Sequence, residues 1–421
     1  MGDCQKLNWS GHVAFGAARY HQPETVAQVQ EIVRRATKVR VVGSGHCFHD
    51  IADTTGDLLW LGRMDNTAVI DPVRRTATVN AGITYEALCP QLQAAGFALS
   101  NLASLKHITV IGACMTATHG SGDALGNLAT AVSGLEMVNA DGEIVRLSRD
   151  RNGDEFNGAV VALGALGVVT KVTLDLEPAF LVQQDNYERL PFADVYAHFD
   201  EISSAGYSVS LFPTWQHDWV ETAWVKQRVP DLTPIQAPGK LFGATLASAN
   251  PSGALPTDRV LTPFGRPGVW HERLPHYAFH DALATGNELQ SEYFVARQNA
   301  VAAIKAVAGL KAGLAPILGL SEVRTIKADQ LWLSSAYGQE TVGIHFNWLK
   351  KWAGIEAFLP VLEKALAPFG ARPHLGKFFA MTPAQLAAVY PRLSDFRGLV
   401  KKYDPAGKFS NRFVEKYVMG G

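Results

Sequence analysis

The sequence predicts an α+β protein built in two units, and three observations predict it. Its 421 residues exceed what one core ordinarily organises, so two domains are expected. The first block alternates helix-period and strand-period segments around glycine turns and closes at Pro178. Beyond Pro178 the composition shifts, and a strand–helix–strand rhythm suggests a second α+β layer.

In "PETVAQVQEIVRRATK" (23–38), Val26, Val29, Ile32 and Val33 recur at helical spacing, with Glu24 in the first turn. "VRVVGSG" then reads as a short buried strand ending in a glycine turn. "DLLWLGRMD" (57–65) and "TAVIDPVRRTATVNAG" (67–82) read as strands, the second with a turn at Asp71-Pro72. "TYEALCPQLQAAG" (84–96) is a helix stopped by Gly96. "GLEMVNADGEIVRLS" (134–148) is a hairpin turning at Asp141-Gly142, and "LGALGVVTKVTLDLEP" (163–178) closes the block as an alternating strand.

In the second block, "NYERLPFADVYAHFDEIS" (186–203) reads as strand then helix. "YSVSLFPTW" (207–215) and "ETAWVKQRV" (221–229) read as paired strands, and 230–270 as a long Pro-, Gly- and Ala-rich loop. Further strands are 289–297, 319–329 and 340–350, with helices at 298–310 and 355–369. The tail holds a helix at "PAQLAAVY" and a turn at "DPAGKFSNRF".

Composition excludes several classes. Apolar residues make up 47% and charged residues 18%, which is globular and not disordered. Basic and acidic residues nearly cancel, 38 against 39, so nothing favours nucleic acid or an anionic membrane. The start lacks a basic stretch followed by an apolar run, and no window holds 18 uncharged apolar residues. The four cysteines are scattered without a C-x-x-C pair, as small buried hydrophobes of a reducing compartment would be. A soluble, cytoplasmic protein is expected.

The chemistry concentrates in "RVVGSGHCFHDIAD" (40–53). A nicotinamide fingerprint needs a third glycine and a following helix, and this turn has neither. It can still offer backbone N–H groups to a pyrophosphate as an anion nest. "GACMTATHGSG" offers the same about seventy residues on, with Gly112, Gly120 and Gly122 permitting close approach and Thr116, Thr118 and Ser121 adding hydroxyls. His46 reads as a turn histidine bonded to its own loop; a metal pair with His49, completed by His119 or Asp50, is the weaker reading, because two of 13 histidines fall this close by chance. No G-x-S-x-G or H-E-x-x-H appears.

Eight segments in order then resemble one family. They are "GSGHCFHDIADTTGDLLWLGRMD", "LASLKHITVIGACMTATHGSG", "LGALGVVTKVTLDLEP", "LQSEYFVAR", "SEVRTIKAD", "GIHFNW", "RPHLGKFF" and "YPRLSDFRGLVKKYDPAGKFSNRF". Together they resemble the alditol (xylitol or sorbitol) oxidases of the vanillyl-alcohol-oxidase-type flavoproteins, relatives of the aldonolactone oxidases. The resemblance implies an FAD-binding domain of two α+β subdomains at 1–178, an α+β substrate (cap) domain at 179–380, and a C-terminal segment, 381–421, packed back on the first. It implies FAD bonded covalently through its 8α-methyl to His46, with no metal. The remaining cofactor contacts it implies are Val42, Gly43, Ser44, Gly45, Cys47, Phe48, Ser104, Thr109, Gly112, Ala113, Cys114, Thr116, His119, Gly120, Val168, Val169, His345 and Lys377.

For the reaction, the resemblance implies that His345 and Lys377 act at the reacting carbinol. Ser104, Glu322, Arg324, Asn347 and Gln290 would bind substrate. The C1 hydroxyl of an alditol would lose its proton to His345 while C1 delivers hydride to flavin N5. Oxygen would then be reduced to peroxide. Lactone oxidation by the same fold is the alternative. Read from the residues alone, Glu322 and Arg324 are a surface ion pair, His345 a core histidine, Lys377 a solvated lysine and Gln290 a surface glutamine. The sequence departs from the family pattern at Cys47, where Ser is expected, and at Asn347, where Thr is expected. A monomer, with polyol and oxygen as its partners, completes the expectation.

Overall fold

The structure is a computed structural model that describes residues 7–248, 262–277, 286 and 288–420. The first helix is Val26–Arg35, where Thr25 and Gln28 form a reciprocal capping box that satisfies two free N–H donors. Thr25 is the cap, so Glu24 lies outside the first turn rather than within it. The helix buries Val29 and Val33. Strand Val39–Val41 follows and pairs in parallel with Asp57–Leu59, which pairs in turn with Arg19–His21. The predicted strand at 57–65 is therefore only three residues long, and it turns away after Leu59.

A five-stranded sheet runs in the order Val69–Asp71, Thr76–Asn80, Val168–Asp175, Val132–Val138, Ile144–Ser148. Both predicted hairpins are in it. At the second turn Gly142 adopts φ +78°, the left-handed conformation that glycine takes without strain. Helix Tyr85–Ala94 ends where predicted, before Gly96 at φ +80°.

The second block forms a ten-stranded antiparallel sheet among the described residues, whose strands all fall between Leu181 and Pro373. Its centre is built from Ser208–Phe212, Leu318–Ile326, Thr341–Leu349 and Glu288–Ala296, neighbours in that order. The stretch read as a loop at 230–270 contributes short strands instead. Ala244–Leu246 and Gly268–Val269 both pair with Leu181–Pro191. Backbone pairing with the long strand Leu181–Pro191 overrides the Pro- and Gly-rich composition there. Residues 249–261 of that stretch lie outside the description.

Alternation divides the central sheet. Leu289, Tyr293, Val323, Ile344, Phe346 and Trp348 face the apolar core. Helices Ala300–Ala308 and Trp352–Leu366 supply further core side chains, among them Ile304, Ile355 and Leu362. The intervening residues face a cavity between this sheet and the first block.

The C-terminal segment returns to the first block. Lys408 O accepts from Val39 N at 2.8 Å, and Asn411 Nδ2 reaches the carbonyls of Asp50, Ile51 and Asp53. Arg40, wholly buried, donates to the carbonyls of Phe409, Gly164 and Leu163. No helix among the described residues is long and apolar enough to cross a membrane.

Candidate active site

The glycine turn and the second glycine-rich run meet at one end of the cavity. A Cβ on Gly43 would stand 2.2 Å from Thr109 Oγ1, so only glycine lets the two runs close on each other. Val42, Gly43, Ser44, Gly45, His46, Cys47 and Phe48 line the cavity from one side. Ala103, Ser104, Thr109, Gly112, Ala113, Thr116, His119 and Val169 line it from the other.

Three residues of the predicted set stand off the wall. Cys114 faces the core, its sulfur 4.0 Å from the Tyr85 hydroxyl. Gly120 backs onto Asn101, where a Cβ would meet Oδ1 at 2.1 Å. Val168 is fully buried, because alternation turns its neighbour Val169 to the cavity instead.

His46 is the pivotal residue of the turn. Its ring stacks on Trp9, with centroids 4.2 Å apart and planes 17° off parallel. Its Nε2 is buried with no hydrogen-bond partner among the described residues. Burial, with His107 and Lys377 nearby, lowers its pKa to about 3, so the ring is neutral. An unpartnered, neutral, immobilised imidazole nitrogen in a cavity wall fits a residue that bonds a cofactor. The His49 ring packs among Phe378, Phe379 and Phe413 instead of against His46. Among the described residues no group of three His, Cys, Asp or Glu side chains is placed to hold a metal. Burial pushes the Cys47 thiol up to about 11, so it is protonated and unreactive at neutral pH.

The cavity's other wall is the alternating face of the central sheet. Register places Glu292 opposite His345, His345 opposite Glu322, and Gln290 opposite Asn347. Lys377 enters from the turn after Arg372–Pro373, which is tied down on both sides. Phe378 N donates to Gln290 O at 2.9 Å, and Phe48 N donates to Gly376 O at 2.8 Å. One backbone bond thus couples the His46 turn to the lysine turn.

Glu292 gathers this cluster, and sequence reasoning missed it. It is fully buried. Its oxygens lie 2.7 Å from Lys377 Nζ and 2.8 Å from an Arg324 terminal nitrogen. His119 Nε2 is 3.1 Å away, without the alignment of a hydrogen bond. The alternation that exposed Gln290 in "LQSEYF" also puts Glu288 and Glu292 on its face, so the signal was there. Glu288 accepts amide N–H groups from both Gln290 and Asn347, which leaves those two amide oxygens to act as acceptors. Glu322 lies 2.7 Å from His276 Nε2 and 3.5 Å from Arg324 Nε. The reading of Glu322 and Arg324 as a surface pair gives way here, because both are buried.

Charges balance in the buried centre. Burial works to raise the Glu292 and Glu322 carboxyls, but Lys377 and Arg324 beside the first, and Arg324 and His276 beside the second, hold both well below the usual range. Two carboxylates thus face two cations. Burial keeps His345 well below its ordinary value, reinforced by Lys377, and keeps His374 and His276 low as well. Both His345 ring nitrogens lack partners among the described residues.

Comparison with known proteins accords with this arrangement. Residues 17–148 match the FAD binding domain family, and 288–417 match the D-arabinono-1,4-lactone oxidase family. The chain is 42% identical to the alditol oxidase of Streptomyces sp. (strain IKD472 / FERM P-14339), over 98% of this chain and 99% of that one. It is 29% identical to the L-gulono-1,4-lactone dehydrogenase of Mycobacterium tuberculosis, over 98% of each. A solvent-stable cholesterol oxidase superposes with a TM-score of 0.79, covering 97% of this chain and 96% of that one. At 16% identity that likeness concerns the fold alone. The matched FAD binding domain and the full-length relative define an FAD-dependent oxidoreductase, on the vanillyl-alcohol-oxidase-type fold. Within that class, the chain belongs to the alditol oxidase family.

Proposed function

We propose that the enzyme oxidises the terminal C1 hydroxyl of alditols such as xylitol and sorbitol to the aldose, reducing oxygen to hydrogen peroxide. The observation that carries this reading is the cross-strand set Glu322, His345, Asn347 and Gln290, backed by Arg324 and Lys377 on one cavity wall. A wall of hydrogen-bonding groups recognises a chain of hydroxyls and rejects analogues that lack them. FAD, when bound, supplies the acceptor for the substrate's hydride and returns the electrons to oxygen. We assign it to the cavity end lined by the two glycine runs, tethered through its 8α-methyl to His46. Residues 1–178 would carry the cofactor, 179–380 the substrate wall, and 381–421 the closing segment, in a monomeric cytoplasmic enzyme.

The protein's own groups do the rest. Glu322 accepts hydroxyl protons in hydrogen bonds and Arg324 donates, fixing the polyol along the sheet. Ser104 contributes a hydroxyl from the opposite side. His345, neutral by burial, takes the C1 hydroxyl proton. Lys377, paired to Glu292, stabilises the developing alkoxide.

A pH profile tests these roles. Burial lowers the Lys377 ammonium, and Glu292 opposes that shift without cancelling it. The cation is present below its pKa and lost as pH rises through it. The alkaline fall in kcat with xylitol is therefore expected below the ordinary lysine value of about 10.4. His345 is already neutral, so no acid limb is expected near pH ~6.5. An acid limb centred there would contradict the assigned base.

The tether is tested separately by acid precipitation. The wild-type pellet is expected to be yellow and the His46→Ala pellet colourless. A yellow His46→Ala pellet would move the linkage elsewhere. The match of 288–417 to a lactone oxidase family supports one rival, oxidation of a sugar-acid lactone. Parallel assays with xylitol and such a lactone separate the two.

A further inference from the structure

His276 and Lys226 have no part in the chemistry above, yet both are buried beside it. Lys226, on strand Trp219–Val229, is 2% exposed and contacts no carboxylate among the described residues. Its amino group, whose pKa burial lowers to about 7, donates instead to the carbonyls of Leu274 and Pro275, the latter at 3.2 Å. Those carbonyls immediately precede His276. Thr262 Oγ1 donates to the same Pro275 oxygen. The His276 ring stands edge-on to Trp224, with centroids 5.1 Å apart, and to Phe212 at 5.6 Å. From that slot Nε2 reaches Glu322 Oε1 at 2.7 Å. An ionised carboxylate has no proton to give, so Nε2–H is the donor.

A buried lysine without a carboxylate partner is costly to the fold. What it secures here is the position of two carbonyls and of the imidazole that follows them. We infer that Lys226 and His276 form a specificity-determining clamp, holding the Glu322 carboxylate in the orientation that receives the distal hydroxyls of an open-chain polyol. His276 is a positioning residue that acts through Glu322, and the inference rests on the alditol reading.

The test compares xylitol with propane-1,2-diol, which has too few carbons to extend along the sheet. With His276→Phe, KM for xylitol is expected to rise roughly tenfold or more, while kcat/KM for the diol stays within about twofold. His276→Gln keeps an N–H donor and is expected to restore most of the xylitol affinity. Lys226→Met, remote from the reacting carbon, is expected to repeat the His276→Phe pattern and covers the case in which that variant does not fold. Equal losses on both substrates, or no rise in KM for xylitol, would overturn the clamp. A wild-type enzyme inactive on every alditol would overturn the underlying reading, and the clamp with it.

Discussion

Arg324→Leu is expected to lower kcat/KM for xylitol by about a thousandfold, since truncating one partner of a buried charged contact costs roughly 2–5 kcal/mol and each ~1.4 kcal/mol is tenfold. The guanidinium touches Glu292 at 2.8 Å and Glu322 at 3.5 Å, so its loss leaves two buried carboxylates facing one lysine. Both carboxyls then move up toward protonation, and the acceptor set for polyol hydroxyls degrades. Stability is expected to fall as well, by about 3–5 kcal/mol, as for other broken buried pairs. Arg324→Lys separates the two effects. It restores a charge but not the planar fork, so stability is expected to recover more than activity. Thermal melting and steady-state kinetics on both variants check this. Near wild-type turnover by Arg324→Leu would remove the residue from substrate binding.

Lys377→Met is expected to cut kcat by roughly a hundred- to a thousandfold, the usual effect of removing one preorganised donor at a site of developing charge. KM should move little, because Lys377 is placed at the reacting carbon rather than along the polyol. The alkaline limb of the pH profile should vanish with it. Glu292, 2.7 Å from the missing ammonium, retains Arg324, which limits the structural cost. A rise in KM at unchanged kcat would instead make Lys377 a binding residue.

Much of the molecule was legible where the signal is local. The helix at Val26–Arg35, the helix at Tyr85–Ala94 and the hairpin at Gly142 each rest on residues a few positions apart, although the Thr25 cap was missed and Glu24 was placed inside the first turn. The ten-stranded sheet was not legible in its order. Leu318–Ile326 pairs with Ser208–Phe212, more than a hundred residues earlier, and no periodicity encodes that choice. The same division runs through the site. Alternation in "SEVR" and "GIHFNW" fixes which residues share a face. The partners of Glu292 come instead from positions 119, 324 and 377, which only the folded chain brings together. His276 carried no local mark at all. It sits in "RLPHYAFH", and its value comes from Trp224, Lys226 and Glu322 arriving around it. The resemblance to a family supplied roles that composition would have assigned otherwise, since it made a buried site of what reads locally as surface charge.

The central claim is that this cavity oxidises alditols with a bound flavin. The most direct measurement is to mix the purified yellow protein with xylitol without oxygen, follow the visible flavin absorbance, and then admit oxygen and assay peroxide. The account predicts rapid bleaching by xylitol, little bleaching by propanol, and recovery of colour with peroxide formation. Bleaching by a sugar-acid lactone but not by xylitol, or equal bleaching by propanol and xylitol, would contradict it.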